Sequence, residues 1–158
     1  MARTVGFVVI LTLYASIALM AAAGSIAITQ RLLRPRWEQS FYAAFLIPIA
    51  AFYLAFAAFF GADAAWPAEG GAVAVFSALA LLGMRVPLAL VAGYLLHGAW
   101  DGLHELQALG DVAVFQPGRA TPTPLAYGVF CAVYDVCMAA YFVVRRGAWA
   151  ADRARSAR

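Results

Sequence analysis

From Val5 to Ile28 the chain carries no charged side chain, and that uninterrupted apolar run limits its fold more than any other feature. A helix needs roughly 20 apolar residues to cross the hydrocarbon core of a bilayer, where only helices and closed barrels satisfy their own backbone. Further apolar stretches follow at 41–60, 68–84, 87–106 and 124–144. Of the 158 residues 65% are apolar and 12% charged, against about 25% charged in soluble domains, so five such runs use up the chain. The expected fold is all-α, a single membrane-spanning bundle of about five transmembrane helices over residues 1–144, followed by a basic cytoplasmic tail at 145–158. No room is left for a separate soluble catalytic domain.

Local signals punctuate these runs. Pro48 falls inside the second, where a kink is tolerated if neighbouring helices satisfy the freed carbonyl, and aromatic residues from Phe41 to Phe60 surround it. Asp63, Trp66, Pro67 and Glu69 read as a short interfacial loop, and Pro87 suits the first turn of the fourth helix. The stretch 107–123 is the longest loop. Ala21-Ala22-Ala23 imitates a signal-peptidase site, but cleavage there would leave Arg31, Arg34 and Arg36 on the wrong side, so the first run is kept as a helix.

Counting arginines on alternating sides sets an orientation. With the N-terminus outside, Arg31, Arg34, Arg36, Arg85, Arg145, Arg146, Arg153, Arg155 and Arg158 face the cytoplasm, and Arg3 and Arg119 face out, beside Asp63, Glu69 and Asp111. That is the positive-inside pattern, N-out and C-in. The same arginines account for the net charge of +3 and suit anionic headgroups, so the bilayer is the expected partner and nucleic acid is not.

The chain has no Lys, which excludes a retinal or pyridoxal Schiff base and a phosphate-loop lysine. It also lacks Asn and abounds in Ala, Gly and Arg, as a GC-rich bacterial genome would give; the expected location is the bacterial inner membrane. Cys131 and Cys137 would be separated by about 9 Å of rise on one helix, beyond disulfide reach, and read as small packing residues.

The chemistry concentrates in the fourth helix. His97, Asp101, His104 and Glu105 fall within an arc of about 100° at helical spacing, while Gly98 and Gly102 form a G-x-x-x-G on another side. The fifth helix adds Asp135. With the two helices antiparallel, a rise of ~1.5 Å per residue puts His97 and Asp135 both near the midplane. A carboxylate there costs roughly 2.5 to 3.5 kcal/mol, so these groups are expected to pair. His97, Asp101 and Asp135 are expected to form one acid–base pocket, opening outward past an outer rim of His104 and Glu105.

Three readings of that pocket stand. In the first, His97, Asp101, His104 and Asp135 supply ligands for a divalent metal such as zinc, although His97 and His104, about 10.5 Å apart in rise, strain to share one ion. In the second, His97 and Asp135 exchange a proton without metal, serving a small membrane enzyme on a lipophilic molecule lined by Tyr94, Trp100, Tyr127 and Tyr134, or a proton-coupled transporter. In the third, the cluster is purely structural and fixes how two helices dock. No internal repeat is visible, and five helices is an odd number for an inverted-repeat transporter, though a homodimer would restore symmetry. An accessory subunit of a membrane complex is the further alternative.

The string His97-Gly-Ala-Trp100-Asp101-Gly-Leu-His104-Glu105, followed by Tyr127-Gly-Val-Phe-Cys131-Ala-Val-Tyr134-Asp135, resembles small bacterial multi-pass membrane proteins of unknown function. The resemblance covers the last two helices and implies an integral membrane protein without assigned chemistry.

Overall fold

The computed structural model describes residues 2–110 and 113–156, with side chains from Val5 onward. The Arg3 side chain, Asp111 and Arg158, counted in the charge pattern, lie outside the described residues. The fold is all-α. Among the described residues five α-helices, α1 (Ala2–Leu32), α2 (Pro35–Phe60), α3 (Trp66–Gly83), α4 (Pro87–Leu109) and α5 (Tyr127–Ser156), are joined by short connections except before α5.

Local chemistry explains most of the boundaries. Arg34 is extended (φ −66°, ψ 151°) because Pro35 follows it, and Pro35 opens α2 six residues before the expected start. Gly61 (φ 64°) and Gly110 (φ 75°) close α2 and α4 in the left-handed conformation that glycine adopts without strain. α5 begins at Tyr127 rather than residue 124 and continues through Arg145 and Arg146 to Ser156. Two arginines end an apolar run without ending a helix, since Arg and Ala are both good helix formers.

Four segments, Val5–Leu32, Pro35–Phe60, Asp63–Gly83 and Tyr127–Ser156, are long and apolar enough to cross a membrane. α4 has 23 residues and therefore the length, but its row of His and acidic side chains lowers its hydropathy. The apolar surface fits a lipid surround: Val9, Met20, Phe59, Leu88, Leu96 and Val144 are all exposed.

α5 organises the packing. It lies along α4 and also carries α1, while α3 joins α2 to α4. α1 scarcely touches α2, its neighbour in sequence, and a cleft opens between them. Tyr42, Leu46, Leu90, Tyr94, Met138 and Phe142 form the centre of the buried core. At the α4–α5 contact, a Cβ on Gly98 would stand 3.2 Å from Asp135 Cβ, so glycine permits the approach; Gly102, its partner in the G-x-x-x-G, has nothing within 4 Å. The second close contact comes instead from Gly128, packed against Glu105 and the Asp101 carbonyl.

The arginine-rich helix ends lie together. Gln39 of α2 donates to the Gly83 carbonyl at 2.6 Å and accepts from Arg153, while the Arg36 N–H donates to Asp152 at 3.2 Å. Glu38, fully buried, accepts from Arg145 Nε and Trp149 Nε1, both at 2.9 Å, and from the Tyr141 hydroxyl. Residues 145–156, expected as a tail, are thus a helical extension with Trp149 inside the core.

Candidate functional site

His97 and Asp101 sit one turn apart on α4, and Asp135 faces them from α5. His97 Nδ1 is 2.7 Å from Asp135 Oδ2 and 3.0 Å from Asp101 Oδ2, with all three side chains about 1% exposed or less. With Asp135 ionised its oxygen accepts, and Nδ1 then carries the ring proton and donates to Asp135. One N–H cannot serve both acceptors well, and Asp101 Oδ2 is left without a hydrogen bond. The other Asp101 oxygen accepts from the Tyr53 hydroxyl of α2 at 2.5 Å. Three helices therefore meet on one imidazole, whose remaining nitrogen, Nε2, is buried without a partner among the described residues.

His97 and Asp135 reach the wall of a cavity of about 340 Å³ between α1, α2 and α5. Ala21, Phe45, Ile49, Phe52 and Phe130 make it apolar; Tyr127, Cys131 and the Tyr134–Ser25 hydroxyl pair (3.2 Å) add a few polar atoms. Phe45 and Phe52 also remain on the exposed surface, so the cavity opens sideways, toward where lipid would lie. Tyr127 and Tyr134 line it as expected. Tyr94 does not, being held in the core with its hydroxyl on the Tyr42 carbonyl at 3.0 Å, and Trp100 packs instead on Phe115 and His104.

His104 and Glu105 do not form a water-facing rim. Both are buried, at 2% and 6% exposure, because neighbouring segments bond them. His104 Nε2 lies 3.0 Å from Glu69 Oε1 of α3, and the same oxygen accepts from the Thr121 N–H at 3.0 Å. Glu105 Oε2 accepts from the Gly128 N–H at 3.1 Å. His104 thus joins a second cluster, and the four-residue metal set reduces to three: ligand atoms of His97, Asp101 and Asp135 all lie within 4.8 Å of one another and could hold a metal ion.

These helices and this buried group carry a match over most of the chain. The chain belongs to DUF6010, a family of unknown function, whose model matches residues 13–148. The matched span holds every residue of both clusters. Neither a curated protein nor a solved structure matches the chain.

Tyr53 and Glu69 are the site residues that sequence reasoning missed. Tyr53 stood among many aromatics, and Glu69 in an apparent loop. Measuring depth would have found the first: Tyr53 lies seven residues from the end of α2 and Asp101 eight from the end of α4, roughly 11 and 12 Å below the same end of the bundle.

Proposed function

We propose that this DUF6010 member is a multi-pass membrane protein in which His97 acts as an acid–base group on a lipophilic molecule held in the cleft between α1, α2 and α5. The observation that carries this reading is the imidazole itself. Nδ1–H is fixed by Asp135, which leaves Nε2 as the basic nitrogen, and the ring stands on the wall of an apolar cavity. A carboxylate that orients one ring nitrogen so that the other can take a proton is a recurring arrangement in general-base catalysis. Asp101, held by Tyr53, adds a second negative group that favours the imidazolium formed when Nε2 accepts a proton.

Metal binding by His97, Asp101 and Asp135 is the second reading, favoured by their convergence. The 2.7 Å separation of Nδ1 and Asp135 Oδ2 weighs toward the proton reading, because ligand atoms around a tetrahedral zinc ion stand about 3.3 Å apart at ~2.05 Å bond lengths.

α4 completes five spans in this reading, its polar face turned inward. The arginines gathered at one end of the bundle support a cytoplasmic location for that end, N-out and C-in, in a bacterial inner membrane.

Comparing lipid extracts from bacteria producing wild type, His97→Ala and Asp135→Asn at equal membrane abundance tests the reading. A lipid or isoprenoid species should change with wild type alone. Identical extracts, together with a substrate-driven pH change in proteoliposomes, would replace the enzyme with a transporter. Identical extracts with no ion movement would leave the cluster a helix-docking device.

A further inference from the structure

Both nitrogens of His104 face oxygen acceptors. Nδ1 lies 3.0 Å from the Trp100 carbonyl, one turn earlier on α4, and Nε2 lies 3.0 Å from Glu69 Oε1. A carbonyl can only accept, so in the neutral ring the proton is on Nδ1 and Nε2 turns a lone pair toward a carboxylate oxygen that also presents one. Two lone pairs at that distance repel, so something positive lies between them, either a further proton or a metal ion.

The surroundings suit a metal ligand pair. A histidine that ligates through one nitrogen usually donates the other to a carbonyl or carboxylate, as Nδ1 does here to Trp100. Glu69 is fully buried and is oriented by the Thr121 N–H on Oε1, while its second oxygen, Oε2, is buried with no partner among the described residues. Thr123 Oγ1 is likewise buried and unpartnered. His104 and Thr123, though not Glu69, border a cavity of about 330 Å³ together with Gln107 and Thr121. An ion about 2.0–2.2 Å from each of Nε2 and Oε1 fits between atoms 3.0 Å apart with shifts of only a few tenths of an ångström.

We propose that Glu69 and His104 form a divalent-cation site of the zinc class, separate from the His97 group, with its remaining positions open to the adjacent cavity. Imidazole with carboxylate selects zinc-like ions over magnesium or calcium. The Tyr53 ring, 4.4 Å from the His104 ring, lies between the two clusters, and its hydroxyl belongs to Asp101. The ion would pin the segment before α5 onto α3 and α4, and the proposal does not depend on the acid–base reading of His97.

Cobalt is the probe. Full-length protein, stripped with chelator in detergent and titrated with Co²⁺, should develop visible d–d absorption, lose it on adding Zn²⁺, and unfold at a higher temperature with either ion. These responses should survive His97→Gln and Asp135→Asn, and weaken by more than about 100-fold in apparent affinity in Glu69→Gln and His104→Gln, which lose a ligand and not merely a supporting partner. His104→Cys should add a sulfur-to-cobalt charge-transfer band absent from wild type, a gain of signal that decides the matter should Glu69→Gln fail to fold. No cobalt response in wild type overturns the site and leaves a shared proton between Glu69 and His104. So does a response abolished by His97→Gln and untouched by His104→Gln or His104→Cys.

Discussion

The Gly128 N–H donates to Glu105 Oε2 at 3.1 Å, so a carboxylate from the last turns of α4 caps the start of α5. It meets unpaired N–H groups and the positive end of the helix dipole, away from bulk water. Glu105→Ala should cost about 1 to 2 kcal/mol, and Glu105→Gln, which keeps an acceptor, less. Thermal unfolding in detergent checks the order; equal stability for all three proteins would show that the cap contributes nothing.

Gly128 has a second constraint, since a Cβ there would stand 2.8 Å from Glu105 Cβ and press on the Asp101 carbonyl. Gly128→Ala should destabilise by about 1 to 3 kcal/mol through overpacking. Gly102→Ala meets open space and should be neutral or stabilising by up to about 1 kcal/mol, as expected for glycine replaced inside a helix. The pair is measured side by side, and a more damaging Gly102→Ala would contradict the packing described.

Asp135→Asn keeps an oxygen that can accept from His97 Nδ1, whereas Asp135→Ala leaves that N–H only Asp101 Oδ2, on its own helix, and breaks the link between α4 and α5. The alanine variant should lose about 1 to 3 kcal/mol and the asparagine variant less. Tyr53→Phe removes the donor to Asp101 and should fall between them. Indistinguishable unfolding of Asp135→Asn and Asp135→Ala would mean that the bond does not hold α4 to α5.

Ending the chain after Val144 removes Arg145 and Trp149 and leaves Glu38 buried with Tyr141 alone. Breaking a buried ion pair on one side costs about 3 to 5 kcal/mol, so the shortened protein should aggregate or unfold at markedly lower temperature. Size-exclusion profiles would reveal it. A truncated chain as monodisperse and heat-stable as the full one would reduce residues 145–156 to an appendage.

A reporter active only in the cytoplasm, fused after Arg158, should function, and one active only outside should be silent. The reverse result would invert the bundle.

Much of the fold was legible because bilayer-length apolar runs leave few choices, and the convergence of His97, Asp101 and Asp135 followed from spacing and depth. Partners further off in sequence were harder. Glu69 is a single acidic residue between Pro67 and two glycines, at the edge of the expected third helix, and nothing local says that it turns inward toward His104. Trp149 follows two arginines, and its burial depends on Glu38, more than a hundred residues away. Periodicity reports which face of a helix is apolar; it is silent on which distant side chain will neutralise an exception.

The polar row on α4 also bears on how the protein is made. α4 is less apolar than the helices around it, and its polar groups are matched by Glu69 before it in the chain and by Asp135 and Gly128 after it. An α4 that crosses the bilayer is therefore a poor passenger for the translocon alone, and is retained only in company. Glycosylation-mapped insertion should be inefficient for α4 in isolation, improve with α3, and become complete once α5 has been synthesised. Full insertion of α4 alone would show that its helix needs no such escort.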